Sequence, residues 1–378
     1  MSLHEFLLSP SDTTHREGPH DKIVMSSRVR LARNIKGSAF PGWAKKAERI
    51  RILEAIRPAV ESLPQMADRF SETMDNLTLL DKNILVERHL ISREHAAKNA
   101  GSGLVFNREE TLCMMINEED HLRMQALRPG LQLKQAWQAI DQVDSKLEKK
   151  LEYAFSPELG YLTACPTNVG TGMRASAMMH LPGLVLSEQI NQIIQAVNKV
   201  GLAVRGLYGE GTEALGNLFQ ISNQTTLGEK EDEILMRLNK VIEQILQHEQ
   251  NSRASLLDKR PTLLLDNIGR AYGILRHAHS MASKEALNLL SCLKLGVDLG
   301  FFPEEGRLLV DQLFMETQPA HLQKSSQQKL QAEERDTLRA EIVRGKLGKF
   351  PKPDGKKAIE RGREERKEKE DKNGGGTE

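Results

Sequence analysis

The chain has 378 residues, of which 39% are hydrophobic and 28% charged, and its formal net charge is +1. This length predicts about two or three domains, and the balanced charge excludes a global field that attracts nucleic acid or a membrane surface. The three cysteines form no CxxC pair, which excludes a zinc or disulfide framework and is typical of a reducing, cytoplasmic protein. The sequence has neither a signal-peptide pattern nor an apolar run of the ~20 residues that a membrane span needs.

Residues 1–20 are predicted to form a flexible arm, and residues 21–257 an α+β domain with a largely antiparallel sheet flanked by helices. Apolar residues at three- and four-residue spacing predict helices in "AKKAERIRILEAIRPAVESL", "RPGLQLKQAWQAIDQVDSKLEKKLEYAF", "LSEQINQIIQAVNKVG" and "LGEKEDEILMRLNKVIEQILQHEQNSRASLL". Ser187 is the predicted N-cap of the third of these helices. Short apolar runs predict strands in "ILVERHLIS", "GLVFNREETLCMMIN", "LGYLTACPT" and "GLAVRGLYGEGTEALGNLFQISNQT".

Strand patterns stop after residue 257, and residues 258–346 are predicted to form an all-helical C-terminal domain. A helix is expected to start near Ser283, and Gly296 and Gly300 are expected to mark turns. Residues 347–378 are highly charged and are predicted to be a disordered tail. Because basic and acidic residues nearly balance there, a solvated tail is favoured over a nucleic-acid-binding arm.

Five arginines stand beside turn residues or at predicted strand edges. They are Arg28, Arg30, Arg123, Arg174 and Arg205. Each of these arginines, taken alone, is more typical of a surface or salt-bridge residue than of a binding site. If they converge, they form a pocket suited to a triphosphate, since the arginine fork binds phosphate oxygens bidentately. No Walker A pattern and no GxGxxG after a first strand is present, so ordinary nucleotide-binding folds are poor candidates.

Acidic residues supply a possible counterpart to these arginines. Glu118, Glu119 and Asp120 follow an apolar strand, and Glu210 lies in a glycine-rich loop. These carboxylates are either solvated loop residues or a pair that holds a cationic acceptor opposite the phosphate site. Cys165, in "TACPTNVGTGMRAS", is either a small buried residue or a thiol beside that acceptor, and His121 either contacts nucleotide or caps its loop.

Four segments carry a family resemblance. "SSRVRLARN", "INEEDHLRMQAL", "CPTNVGTGMRAS" and "RGLYGEGTEALGNLFQISN" resemble, in order and spacing, the motifs of the phosphagen (guanidino) kinases. Creatine and arginine kinases carry a helical domain before the first motif that shapes the small-substrate pocket. Because the first motif begins at Ser26, that domain is expected to be absent here. An extra helical domain is expected to follow instead, which resembles the branch that phosphorylates arginine in proteins. "ERDTLRAE" matches the RDxxRA motif with which that branch binds phosphoarginine allosterically.

The resemblance implies a role for each matching residue. Glu119 and Glu210 are implied to grip the acceptor guanidinium, with Cys165 beside it. The residues implied to contact ATP are Ser26, Ser27, Arg28, Val29, Arg30, His89, Arg123, Arg174, Ala175, Ser176, Ala177, Met178, Arg205, Gly206, Leu207, Tyr208 and Gly209. The allosteric residues are Arg335, Asp336, Arg339 and Ala340. Mg²⁺ is implied to be carried by ATP rather than by side chains.

A guanidinium stays protonated, with a pKa above ~12, and must lose a proton as it is phosphorylated, so carboxylates beside it make chemical sense. The resemblance implies a protein-arginine kinase acting in the stress response. The alternatives are a small-molecule guanidino kinase and a non-catalytic phosphoarginine-binding adaptor. The resemblance also implies a homodimer and several partners: proteins with exposed arginines, including unfolded proteins and a heat-shock repressor, an activator protein, and the Clp protease machinery. No direct nucleic-acid or membrane partner is expected.

Overall fold

The computed structural model describes residues 17–206, 214–326, 328–362 and 364. The chain divides into two compact units. The first comprises the chain up to Met179 with Ala196–Arg205 and Gln220–Glu243, and the second comprises His180–Gln195, Gly206–Phe219 and the chain from Gln244 onward. No helix in these described ranges is both long and apolar enough to cross a membrane.

The first unit is built on an eight-stranded sheet with a small separate hairpin. The sheet strands are β1 (Val24–Arg33), β2 (Arg69–Thr73), β3 (Gly103–Asn107), β4 (Leu112–Ile116), β5 (Leu122–Pro129), β8 (Met173–His180), β9 (Leu202–Arg205) and β10 (Leu218–Asn223), and the hairpin strands are β6 (Phe155–Ser156) and β7 (Gly160–Tyr161). The sheet order is β2-β3-β4-β5-β1-β8-β10-β9. Pairing is antiparallel from β2 through β8 and between β10 and β9, which confirms the predicted, largely antiparallel sheet.

Helices flank this sheet, as predicted. The first unit contains α1 (Lys46–Glu61), α2 (Leu79–Glu87), α3 (Arg93–Ala96), α4 (Leu133–Glu148), the last part of α6 (Ile190–Lys199) and the first part of α7 (Glu231–Lys259), whereas α5 (Pro182–Leu186) belongs to the second unit. Helix α4 packs against β1 and β5. Its buried Ala136, Ile140 and Val143 recur at three- and four-residue spacing. Burying each larger apolar side chain stabilises the fold by about 1.5–3 kcal/mol, so α4 fixes the two central strands.

Three local predictions are wrong. "ILVERHLIS" is not a strand: its first four residues belong to α2, because Thr78 and Asp81 form a capping box that starts a helix, and the rest follows as a turn. "LGYLTACPT" contains only the two-residue β7, since the chain after it follows a loop held by side chains. Ser187 is the C-cap of α5 rather than an N-cap. Residues 18–20 were predicted to be part of a flexible arm, but they contact the first unit: the Leu131 amide donates a hydrogen bond to the Pro19 carbonyl at 2.7 Å.

The second unit has a helical core. Its helices after α7 are α8 (Pro261–His277), α9 (Ser283–Asp298), α10 (Gly306–Glu316), α11 (Pro319–Ser325), α12 (Ala332–Lys346) and a last helix over 355–362. The start of α9 at Ser283 is as predicted, whereas α10 and α11 had no predicted counterpart. Gly296 is not a turn but lies inside α9, where a Cβ atom would come within 2.7 Å of the Phe302 ring.

The predicted disordered tail needs correction for residues 347–362. Leu347, Phe350 and Ala358 are buried in the same apolar cluster as Leu264 and Ile268 of α8. These few apolar side chains are enough to order the segment despite its charge, because the helices already present an apolar surface to it. Residues 365–378 lie outside the described part of the chain.

Candidate active site

Strand pairing gathers the arginines on one face of the sheet. The Cα partner of Arg30 across the β1–β8 ladder is Arg174, and Arg123 lies opposite Ala32 across the β1–β5 ladder. Paired residues in an antiparallel ladder share a face, as do residues two apart on one strand. Arg28, Arg30, Arg123 and Arg174 therefore share a face.

Arg205 belongs to the same face at the far side of the sheet. Its Cα partner on β10 is Gln220, and the Gln220 Oε1 atom accepts a hydrogen bond from Arg28 Nη2 at 2.7 Å. Arg28 of β1 and Arg205 of β9 thus lie on either side of Gln220 of β10. All five predicted phosphate-binding arginines occupy one continuous surface.

The charges on this face are not fully neutralised. Burial, reinforced by repulsion from Arg123 and Arg174, lowers the pKa of Arg28 to about 10. Burial and repulsion from Arg28, Arg123 and Arg174 hold the pKa of Arg30 well below its usual range. The negative charge of Glu118 acts in the opposite direction and raises that pKa. The buried Arg30 Nε atom has no hydrogen-bond partner in the described parts of the chain. A cluster of desolvated cations with an unused donor is suited to a polyanion.

Arg123 has a carboxylate partner. Its Nη1 atom lies 2.6 Å from both oxygens of Glu118, whose side chain is 1% exposed. The Ser92 hydroxyl, which also caps α3, donates to Glu118 Oε1. Burial by itself raises the pKa of Glu118, but the charge and hydrogen bonds of Arg123 outweigh it and lower that pKa to about 2. Glu118 therefore stays ionised and fixes Arg123.

His89 lies beside the arginine face at the end of α2. Its φ of +58° is unusual for a non-glycine residue, and Gln125 Nε2 donates to its carbonyl at 2.9 Å. Burial, followed by repulsion from Arg28, lowers the pKa of His89 to about 4. The imidazole is therefore neutral at physiological pH and next to the surface that carries Arg28.

Glu119 is the exposed member of the acidic run. Its neighbour Asp120 is buried, and Asp120 Oδ1 accepts hydrogen bonds from Asn34 Nδ2 and from the Ala164 amide, both at 2.7 Å. Those bonds join the Glu119 turn to the segment that carries Cys165. Partial burial and the adjoining Asp120 carboxylate raise the pKa of Glu119, which makes it a better proton acceptor.

Cys165 and His121 flank the same turn. The Cys165 thiol is half-buried, and its Sγ atom lies 3.1 Å from Thr167 Oγ1. His121 is buried, and its Nδ1 atom accepts from the Ile35 amide while Nε2 lies 2.9 Å from the Ala39 carbonyl. His121 thus holds the backbone of its loop, which decides between the two roles open for it. Cys113 is buried as predicted, and Cys292 is only partly buried.

The loop between Cys165 and Arg174 turns at two glycines with positive φ, +112° at Gly170 and +64° at Gly172. A Cβ atom at Gly172 would come within 2.6 Å of the Ala32 carbonyl oxygen and 2.7 Å of Arg33 Nη1. Arg33 Nη1 donates to the Ala32 and Thr171 carbonyls, both at 2.9 Å. Only glycine permits this close approach between β1 and the loop.

Two family patterns match the chain. Residues 51–252 match ATP:guanido phosphotransferase, C-terminal catalytic domain, and residues 261–358 match Protein-arginine kinase McsB C-terminal domain. The chain belongs to the ATP:guanido phosphotransferase family. Membership makes it a kinase of the phosphagen kinase type, with ATP as the phosphoryl donor.

Relatives extend over most of this ATP:guanido phosphotransferase. A protein-arginine kinase of Halothermothrix orenii is 45% identical over 331 residues, which cover 88% of this chain and 95% of the relative. One of Brevibacillus brevis is 45% identical over 92% of this chain and 98% of the relative. Among solved structures, a lombricine kinase is 27% identical with a TM-score of 0.54, covering 64% of this chain and 71% of the other.

Not every residue implied to contact ATP has its side chain on the arginine face. Strand alternation places Ser27 and Val29 of β1, and Ala175 and Ala177 of β8, on the opposite face. Ser27 has a structural role there: its hydroxyl donates to the Gly130 carbonyl at 2.8 Å and accepts from the Gln132 amide at 2.9 Å. Ser26, Ser176 and Met178 alternate onto the arginine face.

Part of the predicted site lies outside the described residues. Glu210 and the neighbouring Leu207, Tyr208 and Gly209 are not among the described residues, and Gly206, directly after β9, is the last described residue before them. The implied roles of these residues stay predictions. Of the two glutamates implied to hold the acceptor, Glu119 is the one whose surroundings are described.

The RDxxRA motif lies at the start of α12 in the second unit. Arg339 is buried: its Nε donates to the Thr317 carbonyl at 2.8 Å, and its Nη1 to Met281 O and Asp336 Oδ1 at 2.7 and 2.5 Å. Ala340 is also buried. Arg335 and Asp336 are only partly buried. Arg339 and Ala340 therefore organise the motif, while Arg335 and Asp336 are the accessible part of it.

Three structurally important residues escaped the sequence interpretation. Arg33 and Asn34 follow directly after the "SSRVRLA" pattern, and Gln220 lies in "LFQISN". Each acts through contacts far along the chain, with Asp144, Asp120 and Arg28 respectively. The only signal available in the sequence was the presence of polar side chains inside predicted strands.

Replacing Gly172 with alanine is expected to lower the free energy of unfolding by about 2 kcal/mol or more, since the positive φ strains alanine and the Cβ atom meets Ala32 O. Gly37 is a matched control, because its φ is +72° and a Cβ atom there meets nothing within 4 Å. The free energy of unfolding of the Gly37→Ala variant should therefore fall only by the cost of the positive φ, roughly 1 kcal/mol. Urea unfolding of both variants measures the difference, and equal losses would contradict the close approach.

Proposed function

We propose that this ATP:guanido phosphotransferase transfers the γ-phosphoryl group of ATP to the guanidinium group of arginine residues in proteins. The carrying observation is that five arginines share one face of the sheet, next to the turn that presents Glu119. Support comes from relatives named protein-arginine kinase that match about nine-tenths of the chain. An α-helical C-terminal region matching that of protein-arginine kinases supports the same choice.

The donor half of the site follows from the arginine face. Burial and repulsion from neighbouring arginines, Arg174 among them, disfavour the charges of Arg28 and Arg30. Phosphate oxygens that bind there would stabilise these charges. Arg123 is held by Glu118 and presents its remaining donors in a fixed direction. We propose that Mg²⁺ enters with ATP, where it neutralises charge on the phosphates. Catalysis at this half is then positioning together with preorganised positive charge.

The acceptor half centres on Glu119. An arginine side chain attacks through a guanidinium nitrogen, and the proton on that nitrogen must leave as the P–N bond forms and the bond to ADP breaks. Glu119, with its raised pKa, accepts the proton in this proposal, and Glu210 orients the guanidinium from the other side. Cys165 lies in the segment bonded to the Glu119 turn and adds a polarisable sulfur beside the acceptor.

A phosphorylation assay decides among the candidate functions. The protein is incubated with Mg-ATP and either β-casein or free arginine, and acid-labile phosphate is measured by ³¹P NMR. We expect phosphoarginine on the casein. Phosphate on free arginine alone would instead identify a small-molecule guanidino kinase. Binding of a phosphoarginine peptide without any transfer would identify a non-catalytic adaptor.

Finer parts of the proposal concern regulation and partners. We propose that Arg335 and Asp336, supported by Arg339 and Ala340, bind phosphoarginine and adjust activity allosterically. We also propose a cytoplasmic homodimer in the stress response, with unfolded proteins and a heat-shock repressor as substrates, an activator protein, and Clp proteases that take up the marked proteins. Support for these points is the resemblance to protein-arginine kinases.

A further inference from the structure

Gln220 is a buried amide that accepts a hydrogen bond from one of the arginines and is the ladder partner of another. It lies on β10 with 5% of its surface exposed, and its Oε1 atom accepts from Arg28 Nη2 at 2.7 Å. Arg205 of β9 is its Cα partner. Of the five strands β5, β1, β8, β10 and β9, only β10 contributes no arginine to this face. Its contribution to the face is a neutral hydrogen-bonding group.

The contact between Arg28 and Gln220 spans an intervening strand. Strand β8 lies between β1 and β10. Neighbouring strands are ~4.8 Å apart, so the β1 and β10 backbones are about 10 Å apart and the two side chains meet over β8. The β8 residue paired with Arg28 is Ser176, which is small. A larger side chain there would stand between the guanidinium and the amide. The sequence thus provides both an acceptor for Arg28 and a clear path to it.

The chemistry of an amide suits this position better than the obvious alternatives. A carboxylate at residue 220 would form ion pairs with Arg28 and Arg205 and remove the positive charge that attracts phosphate. An aliphatic side chain would leave a buried guanidinium N–H without an acceptor. The amide oxygen occupies one donor of Arg28 and leaves its charge unneutralised.

We propose that Gln220 is a positioning residue for nucleotide binding: it directs the Arg28 guanidinium across β8 without neutralising its charge. The proposal rests on the proposed function, in which this face binds the phosphates of ATP. Gln220 acts through Arg28, so its effect falls on nucleotide affinity rather than on the acceptor side of the site.

Two substitutions test the two parts of this role. Gln220→Glu is expected to raise the KM for ATP roughly 10- to 100-fold with the KM for β-casein unchanged, because it cancels charge at the phosphate site. Gln220→Met is expected to raise the KM for ATP by about 5- to 10-fold, the effect of losing one hydrogen bond. Ser222→Ala, two residues along the same strand, is the matched control and should leave both constants unchanged.

Equilibrium titration with Mg-ADP separates this proposal from the proposed function. If the wild-type protein fails to phosphorylate casein, the proposed function is wrong, yet weaker ADP binding by Gln220→Glu still supports the positioning role. If the Gln220→Glu variant binds ADP as tightly as the wild-type protein, the positioning role is wrong. An equal rise in the KM values for ATP and casein also overturns it. Circular dichroism melting of each variant verifies that the fold is retained.

Discussion

Replacing Arg30 with methionine is expected to lower kcat/KM about 10²–10³-fold without any loss of fold stability. The loss of activity follows from removing one preorganised cation at the position where phosphate charge is bound. Stability is retained because burial and three neighbouring arginines lower the pKa of Arg30 in the folded protein. A cation with a lowered folded-state pKa opposes folding at every pH below its unfolded pKa, so its removal favours the fold at neutral pH.

The measurements are steady-state kinetics with β-casein and urea unfolding at pH 7. Arg108→Met is the matched control, since Arg108 is 63% exposed and pairs with the equally accessible Asp68. Such surface pairs contribute ~0–1 kcal/mol, and both properties should stay near wild type. Full activity in Arg30→Met would contradict the phosphate assignment. Loss of activity together with the fold would instead make Arg30 a structural residue.

The arginine face illustrates how far the sequence alone reaches. Alternation along "SSRVR" predicted that Arg28 and Arg30 point the same way, and the structure agrees. The pairing of Arg30 with Arg174 depends on which strands become neighbours, a non-local property that local patterns do not contain. The family resemblance implied a shared phosphate-binding role for these arginines, but it did not predict which strands pair.

The wrong predictions have local physical causes. The apolar run in "NILVE" fits a strand or a helix equally well by composition, and the capping box formed by Thr78 and Asp81 decided for a helix. Stretches with weak periodicity, such as "LGYLTACPT" and the region of α10 and α11, take their shape from tertiary contacts. Gln220 and Arg33 were missed for the same reason, since their partners are far away in sequence.

Arg33 is expected to be among the most sensitive positions for stability. Its side chain is 2% exposed, and its Nη2 atom lies 2.6 Å from Asp144 Oδ2 of α4. It also donates to Thr171 and lies over the Tyr161 ring, 3.5 Å from the ring centroid. Arg33→Met leaves the Asp144 carboxylate buried without its counter-charge, so the free energy of unfolding should fall by about 3–5 kcal/mol.

A double-mutant cycle isolates this ion pair from general packing loss. Asp144→Leu alone should also lower the free energy of unfolding, because it leaves the Arg33 guanidinium without its carboxylate partner. The double variant should lose less free energy than the sum of the two single losses. The exposed pair of Lys36 and Glu152 is the matched control, with side chains 66% and 73% exposed, and its cycle should give ~0–1 kcal/mol. Strictly additive losses at Arg33 and Asp144 would contradict the coupling. Since Arg33 joins β1 to the loop that runs from Cys165 to Arg174, the remaining folded protein should also show reduced phosphoryl transfer, because both halves of the site depend on that connection.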